Sequence, residues 1–372
     1  MRNILLNPGP ANTALSVKMA QVVEDVCPRE VEFSEVLSFV SESLVEFVED
    51  FRDSSAVIFG GSGTLAIESA LSSIIGDKQK VAIIKNGAYG ERLLEIAKAY
   101  KMNFCFFESS PFYPLDFSAL SEFIKQQKPT HLALVHCETT SGLINSLFMV
   151  SKICKAYGVK IICDCISSFG VYPISLKEVD FVIATSNKCL QGMAGVSFVI
   201  AKDENLKEAK YAKSLYLDLK AQWEFFKQTK QMRFTPPVQV IYALKQALLE
   251  LRQEGQIRRY HRYLHSNLVL RGGLEKLGFE CLPIESYSVI ITSVKIPTNI
   301  DFNVLHSFCK DRGFVIYPSK VGEFSHFRVA NIGDIDFRDI ENFIEVFKRV
   351  FKRGKIVESK ILVFVGGGVI PY

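Results

Sequence analysis

Short apolar runs alternate with stretches of helical periodicity through the first half of the chain. Runs that predict strands lie at 55–59, 80–84, 131–135, 160–163, 180–184 and 196–200. Helical patterns follow several of them, at 64–75, 91–100 and 149–157. Because strands that alternate with helices are typical of βαβ units, this part of the chain predicts an α/β domain with a mostly parallel sheet.

The pattern changes after Pro237, where two long helical stretches, 238–253 and 256–277, lead the chain out of the first domain. Shorter segments follow, predicted as strands at 278–280, 288–295, 315–317 and 327–329 and as helices at 303–313 and 336–351. The predicted organisation is a large α/β domain over 1–255, whose segment 1–14 packs on the small domain, a small C-terminal α+β domain over 256–354, and a tail of unassigned role over 355–372 with a strand-like run at 360–368.

Composition and charge narrow the class of protein. The 372 residues are 48% hydrophobic and 23% charged, which excludes an intrinsically disordered, collagen-like or purely coiled-coil chain. The net charge is +4, and the basic residues are scattered except near 348–355, which argues against a nucleic-acid-binding surface. An anionic small molecule stays open as a ligand.

Neither the first residues nor the cysteines indicate an exported protein. The apolar run 4–6 is too short for a signal-peptide core or a membrane span. Nine cysteines, an odd number without a Cys-x-x-Cys pair, lie mostly in strand-like runs and indicate reduced thiols. Cys163 and Cys165 are interpreted as small core residues rather than ligands or nucleophiles, so no metal site is predicted. We expect a cytoplasmic protein, with neither a membrane nor a nucleic acid as partner.

A glycine-rich turn between a strand and a helix is the first candidate binding site. The turn is Gly60-Gly61-Ser62-Gly63-Thr64. Free backbone N–H groups and the positive end of the helix dipole favour an anion there, and the hydroxyls of Ser62 and Thr64 add donors. The turn matches neither Gly-x-Gly-x-x-Gly nor the P-loop, and turns of this kind are about as often without a ligand.

Two charged residues follow predicted strands. Asp164 comes directly after 160–163, at the carboxyl end where ligands of open α/β sheets bind. Lys188 follows the strand 180–184 after a short polar segment. An aspartate in this position can instead cap the next segment, and most lysines are solvated loop residues. The apolar and glycine-rich surroundings of Lys188 favour a functional lysine.

Together these residues match the needs of a pyridoxal phosphate enzyme. Such an enzyme uses a lysine that binds the cofactor aldehyde, a carboxylate at the pyridine nitrogen, an anion cradle and an aromatic ring over the cofactor. Lys188 would bind the aldehyde and act as a base, Asp164 would keep the ring nitrogen protonated, and 61–64 would hold the phosphate. Tyr89 would stack on the ring, although a tyrosine in such a turn is more often only packed there.

The order of these motifs resembles that of the class V aminotransferases. The segments that carry the resemblance are Leu6-Asn7-Pro8-Gly9-Pro10, Gly61-Ser62-Gly63-Thr64, Asn86-Gly87-Ala88-Tyr89-Gly90, His136-Cys137-Glu138-Thr139-Thr140-Ser141-Gly142, Asp164 with Ser167-Ser168-Phe169-Gly170, and Ser186-Asn187-Lys188-Cys189-Leu190-Gln191-Gly192. The resemblance extends over about residues 4–350 and implies an α/β, PLP fold type I transferase with a mostly parallel, seven-stranded sheet. Within the class, the chain is most similar to the 2-aminoethylphosphonate–pyruvate transaminases, on segments 214–219, 221–223, 233–237, 313–318 and 327–333.

The resemblance also implies roles for single residues. The implied catalytic residues are Lys188 and Asp164, and the implied cofactor-binding residues are Ser62, Gly63, Thr64, Tyr89, Thr139, Asp164, Asn187, Lys188 and Thr235. Arg328 is implied to bind the acidic group of the substrate, which suits a planar bidentate donor, and Arg29 to make a second anion contact. Thr235 would reach the phosphate from a partner subunit, so the active site would lie at a homodimer interface.

The implied reaction interconverts 2-aminoethylphosphonate and pyruvate with phosphonoacetaldehyde and L-alanine, in synthesis or breakdown of the phosphonate. Another class V transaminase, of the alanine–glyoxylate or serine–glyoxylate type, would use the same residues with a different substrate pocket. A desulfurase would need a mobile nucleophilic cysteine late in the chain, and Cys309 lies instead in a helical apolar pattern. A nucleotide-binding module without enzymatic activity would use 61–64 and leave the pairing of Asp164 with Lys188 unexplained.

Overall fold

The computed structural model of the protein describes residues 3–297, 300–321 and 324–350. Its helices are α1 Leu15–Met19, α2 Val31–Val45, α3 Gly63–Ile74, α4 Ala88–Ala99, α5 Phe117–Gln127, α6 Leu147–Ala156, α7 Asp203–Glu208, α8 Leu219–Thr229, α9 Val238–Glu254, α10 Gln256–Lys276, α11 Phe302–Lys310 and α12 Phe337–Val350. Its strands are β1 Ile4–Leu5, β2 Ser54–Gly60, β3 Val81–Lys85, β4 Phe104–Glu108, β5 His131–Val135, β6 Cys137–Glu138, β7 Leu143–Ile144, β8 Lys160–Asp164, β9 Phe181–Thr185, β10 Val196–Lys202, β11 Cys281–Leu282, β12 Ile291–Lys295, β13 Phe314–Val315, β14 Tyr317–Val321 and β15 Phe324–Ala330. The predicted tail 355–372, with its strand-like run at 360–368, lies outside the described residues.

A seven-stranded sheet forms the centre of the larger part of the structure. Its strand order is β2-β10-β9-β8-β5-β3-β4. The strands from β9 to β4 in this order run parallel to their neighbours. β10 runs antiparallel to both β9 and β2. The prediction of an α/β fold with a mostly parallel sheet is therefore confirmed.

Helices cover both faces of this sheet. Along β3, Ala82 and Ile84 pack into the hydrophobic cluster that includes residues of α2, α5, α6 and α9. Val81 and Ile83 pack into the cluster on the opposite face, with residues of α3, α4 and α8. Successive side chains of a strand point to opposite faces, so a sheet buried on both faces needs apolar residues at consecutive positions. This is why the central strands are visible in the sequence as continuous apolar runs.

Several elements differ from the sequence prediction, and two of these differences have a clear physical cause. β4 was not predicted, because it lies at the edge of the sheet and its five side chains are only half-buried or exposed. The strand expected at 278–280 is not formed. Gly278 adopts a φ of +85° just after α10 and closes the helix, as glycine does at helix ends. Pairing begins later, where Cys281 and Leu282 pair with β12.

A second sheet follows α10, with four antiparallel strands in the order β11-β12-β15-β14. Phe327 of this sheet and Phe343 and Phe347 of α12 are fully buried in one cluster with residues of α10. α9 and α10 are separated only by Gly255, whose φ is +83°. The predicted boundary between a large and a small domain falls at this break, and its position stays a prediction.

The N-terminal segment lies against the second sheet. β1 pairs in parallel with β13, and the backbone N–H of Ala330 donates to the carbonyl of Leu6 at 2.7 Å. Leu6 is fully buried in the same cluster as Phe327. Further along, the N–H of Ala11 donates to the carbonyl of Asn187 at 2.9 Å. The segment therefore joins the second sheet to the loop after β9.

All nine cysteines are free thiols, of which Cys27 is exposed, Cys105 is half-buried and the others are buried. Among the described residues, no helix combines the length and the apolar character that crossing a bilayer requires. The cytoplasmic location stays a prediction.

Replacing Leu6 by alanine should lower the free energy of unfolding by about 2–5 kcal/mol, the usual cost of truncating a buried leucine. The loss follows from the cavity left between β1 and the second sheet. Urea denaturation of the protein measures it, with Leu268→Ala on the exposed side of α10 as the control, since Leu268 is 51% exposed. Equal stability of the two variants would show that the N-terminal segment adds nothing to the core.

Candidate active site

The carboxyl ends of the sheet strands bring most of the predicted site residues to one edge. β8 ends at Asp164, and Lys188 follows β9. β3 leads into α4, whose first turn carries Tyr89. β2 points the same way as β9, because two antiparallel pairings separate these strands, so its end at Gly60 lies at this edge too. Ligands of open α/β sheets bind at such an edge.

The glycine-rich turn after β2 forms an anion cradle. α3 begins at Gly63, and the side chain of its N-cap residue, Ser62, makes no capping hydrogen bond. The first-turn N–H groups thus lack a side-chain cap and suit an anion. A Cβ atom on Gly63 would lie 2.5 Å from Cδ1 of Ile166, so a larger residue would require the Ile166 side chain to shift. Thr64 is half-buried in the first turn.

Asp164 lies beside this cradle. Its Oδ1 accepts a hydrogen bond from the backbone N–H of Ile166 at 2.9 Å, and its side chain is buried. Burial raises the pKa of the Asp164 carboxyl from 3.8 to about 7, which the charges of Lys188 and Arg92 partly oppose. A buried carboxyl with this pKa favours a partner that brings a positive N–H group.

Lys188 points from the loop after β9 toward the N-terminal segment. Its Nζ donates a hydrogen bond to the carbonyl of Pro8, and a side chain on Gly9 would overlap it. Burial lowers the pKa of the Lys188 amine from 10.5 to about 8, and the Arg328 charge lowers it further while Asp164 opposes the shift. The amine is thereby partly unprotonated near neutral pH, as a nucleophilic lysine requires.

The residue before this lysine, Asn187, is held by the structure around it. Its carbonyl accepts from Ala11, and its side-chain oxygen accepts from the hydroxyl of Thr185 at 2.9 Å. Asn187 therefore fixes the loop that carries the lysine.

Arg328 reaches the same region from β15 of the second sheet. It donates to the carbonyl of Thr139 at 3.2 Å and to the carbonyl of Pro318 at 3.0 Å, and its guanidinium lies 4.9 Å from the centre of the Tyr317 ring. Within the described ranges, its buried Nε has no hydrogen-bond partner. Burial lowers the pKa of Arg328. A buried guanidinium that donates to neutral carbonyls, and whose Nε has no partner among the described residues, suits an anionic ligand.

Tyr89 and Glu138 lie between these groups. The Tyr89 ring is half-buried, with the Arg92 guanidinium 4.8 Å from its centre. Glu138 is fully buried, and burial raises the pKa of its carboxyl although hydrogen bonds from Thr140, Gly90 and Tyr89 oppose this. Glu138 was not predicted as a site residue. The signal that marked Asp164, an acid just after an apolar strand, was also present here, since 131–135 precedes it.

Two of the predicted residues lie outside this group in the single chain. Thr235 is exposed, on a segment whose Pro237 ring lies against the Cβ position of Gly60, next to the cradle. Arg29 donates to the carbonyls of Met232 at 2.6 Å and Arg233 at 3.1 Å. Arg29 thus fixes the segment that leads to Thr235, and its predicted anion contact stays a prediction.

Residues 15–313 match the family model described as Aminotransferase class-V, which is most of the chain. The chain belongs to the class V aminotransferase family. Two relatives, from Bacillus cereus (strain AH820) and Bacillus anthracis (strain CDC 684 / NRRL 3495), are each 38% identical to it over 351 residues, or 92% of this chain and 96% of theirs. Both are named 2-aminoethylphosphonate–pyruvate transaminase.

Solved structures of two aminotransferases share the fold. A ureidoglycine–glyoxylate aminotransferase from Bacillus subtilis superposes with a TM-score of 0.87 at 23% identity, covering 95% of this chain and 94% of that one. An alanine–glyoxylate aminotransferase from Nostoc sp. gives 0.87 at 24% identity, covering 94% and 96%. The predicted fold type I architecture is confirmed.

The side chains of this class V aminotransferase fit pyridoxal phosphate. The N-terminus of α3 has no side-chain cap and follows a glycine-rich turn, which suits a phosphate. The buried Asp164 carboxyl suits a protonated ring nitrogen, and the Lys188 amine, with its pKa lowered to about 8, suits an aldehyde. The family implies this cofactor, and the donor set agrees with it.

We expect Lys188 of the cofactor-free aminotransferase to titrate with a pKa of about 8, because burial disfavours its charged form. Reductive methylation with isotope-labelled formaldehyde, followed by an NMR titration, measures the pKa of each modified lysine. The Lys188→Arg variant assigns the resonance by its loss. A midpoint at the ordinary lysine value of about 10.4 would contradict the burial of this amine.

Proposed function

We propose that this class V aminotransferase is a pyridoxal-phosphate-dependent transaminase that interconverts 2-aminoethylphosphonate and pyruvate with phosphonoacetaldehyde and L-alanine. The two Bacillus relatives that bear this name support the substrate pair. The observation that carries the proposal is the position of Arg328, which is buried beside Thr139 and close enough to Lys188 to lower the pKa of its amine. An acidic group bound by Arg328 would place the rest of a short substrate at the lysine.

The proposed cofactor-binding residues contact different parts of the cofactor. When bound, pyridoxal phosphate supplies an aldehyde for the amino group and a ring that takes up the electron pair left on the neighbouring carbon. The first turn of α3 and the hydroxyls of Ser62 and Thr64 would bind the phosphate. Asp164 would accept the hydrogen bond of the protonated pyridine nitrogen, and burial would keep water from screening that charge pair. Tyr89, Thr139 and Asn187 would contact the ring.

Lys188 moves the proton in the proposed reaction. Its Nζ takes the proton from the carbon that bears the substrate amino group, and it can do so because burial sets the pKa of the free amine at about 8. The carbonyl of Pro8 and the loop residue Asn187 set the direction of the lysine. Such orientation of a base toward the carbon it deprotonates is a large part of its effect on rate.

Arg328 selects the acidic group of the substrate. Its planar fork offers parallel N–H donors that match the oxygens of a phosphonate or a carboxylate. The Tyr317 ring packs on the guanidinium, and the carbonyls of Thr139 and Pro318 hold it, so little side-chain freedom is lost when a substrate binds. Both 2-aminoethylphosphonate and pyruvate carry an acidic group that one arginine can bind in turn.

A second copy of the chain completes the proposed site. Thr235 is exposed and lies on a segment next to the cradle of its own chain. In a homodimer whose two cradles face each other, Thr235 of one copy donates to the phosphate in the other copy. Arg29 fixes the segment 231–233 and thereby the position of Thr235.

The proposed reaction is tested by adding 2-aminoethylphosphonate to the cofactor-loaded enzyme without an acceptor and recording the visible absorption spectrum. Loss of the absorbance of the lysine-bound cofactor, restored by pyruvate, is the expected result. A spectrum that responds to alanine or serine and ignores this amine would move the assignment to a glyoxylate-type transaminase. A protein that stays colourless with added pyridoxal phosphate would favour the nucleotide-binding alternative.

The Lys188→Ala variant should lose turnover and keep its fold.

The substitution Arg328→Lys should lower kcat/KM for 2-aminoethylphosphonate by about 10- to 100-fold, since a hydrogen bond to a charged group is worth about 1.5–3 kcal/mol. The change should be mainly a rise in KM, because the lysine keeps the charge and loses the fork. Steady-state kinetics of the purified variant measure both constants. Arg338→Lys is the matched control, since Arg338 is 76% exposed. An unchanged KM would remove Arg328 from the substrate pocket.

A further inference from the structure

Glu138 is a fully buried acid. In the proposed reaction it neither transfers a proton nor binds the substrate. Its carboxylate accepts four hydrogen bonds. Oε2 accepts from the backbone N–H groups of Tyr89 at 3.1 Å and Gly90 at 3.2 Å. Oε1 accepts from the backbone N–H of Thr140 at 3.1 Å and from its hydroxyl. All the donors point at the acid, so the site is built for an ionised carboxylate.

These contacts cap α4 from outside the helix. The N-cap residue of α4 is Gly87, which has no side chain to cap with, and a Cβ there would overlap the Glu138 side chain. The N–H of Ala88 donates to the Thr140 hydroxyl at 3.1 Å, while those of Tyr89 and Gly90 donate to Glu138. The first three N–H groups of the helix therefore bind the segment 138–140.

The same segment binds the second sheet through its backbone. The carbonyl of Thr139 accepts from Arg328 at 3.2 Å. The carbonyl of Thr140 accepts from the hydroxyls of Ser293 at 3.1 Å and Ser319 at 3.2 Å. The consecutive residues 138–140 thus bind the first turn of α4, which carries Tyr89, and also bind Arg328 of the second sheet.

We propose that Glu138 is a positioning residue that holds the Tyr89 ring over the cofactor at a fixed position relative to the Arg328 guanidinium. This inference rests on the proposed function for the ring and for the arginine. Glu138 touches neither reactant in this arrangement and acts through the backbone of Tyr89. A displacement of about 1 Å between groups that position a substrate can lower the rate by about 100-fold.

The variant Glu138→Gln tests this role, because it keeps the size of the side chain and replaces an acceptor by an NH₂ group facing N–H donors. We expect faster hydrogen exchange at Tyr89 and Gly90 in the cofactor-free protein. We also expect kcat to fall about 10- to 100-fold and the visible circular dichroism of the bound cofactor to change. Glu91→Gln is the control, since Glu91 lies in the same first turn of α4 and pairs instead with Lys85 on the surface.

A double-mutant cycle separates positioning from general stability. In the Tyr89→Ala background, Glu138→Gln should lower kcat by no more than about 3-fold, since its effect runs through the ring. Equal losses in both backgrounds would overturn the proposal. So would faster exchange at Tyr89 with kcat and circular dichroism unchanged, which would leave only a structural cap.

A milder pair of variants covers the case in which Glu138→Gln does not fold. Thr140→Val removes the hydroxyl between Ala88 and Glu138, and Thr140→Ser keeps it. The valine variant should lose kcat and the serine variant should retain it, and equal activity of the two would count against the role. If alanine replaces 2-aminoethylphosphonate as the donor in solution, all rates are measured with alanine. A failure of the proposed substrate is then distinct from a failure of this inference.

Discussion

The site depends on one constraint, which is that the central strands are parallel and buried on both faces. Parallel strands end at one edge, so residues that are far apart in sequence meet there without any long loop. Asp164 ends β8, Lys188 follows β9, and the cradle follows β2. β10 lies between β9 and β2 and is antiparallel to both, so β2 runs in the same direction as β9. A reversed β2 would place the cradle at the opposite edge, far from Asp164.

Burial at this edge shifts the pKa values of acids and bases in opposite directions, and in both cases it favours the neutral form. It raises the pKa of Asp164 and Glu138, and it lowers the pKa of Lys188 and Arg328. Each shift favours the neutral form, as desolvation requires. Glu138 is compensated by four hydrogen bonds from the protein, whereas Asp164 accepts its backbone hydrogen bond from Ile166 alone in the described contacts. The groups left short of partners are those that a cationic ring nitrogen, an aldehyde and an acidic substrate would satisfy.

The sequence could predict what depends on local pattern. Continuous apolar runs predicted the central strands, and the position of Asp164 after such a run made it a candidate site residue. The edge strand β4 was missed because half-buried strands lose this signal, and the expected strand at 278–280 was displaced by the left-handed Gly278. Arg328 could be assigned only through the family resemblance, because its place depends on the register of β15 against β12 and β14. Glu138 also follows an apolar run, but its contacts are with the backbone of a helix about 50 positions away, and no local pattern shows those contacts.

The contact between Gly87 and Glu138 also limits how this protein can change over time. The carboxylate occupies the space into which any side chain at position 87 would grow. A residue larger than glycine at 87 therefore calls for a shorter one at 138, and a shorter residue at 138 removes the acceptor of the Tyr89 and Gly90 N–H groups. The identities of residues 87 and 138 are therefore coupled through this contact.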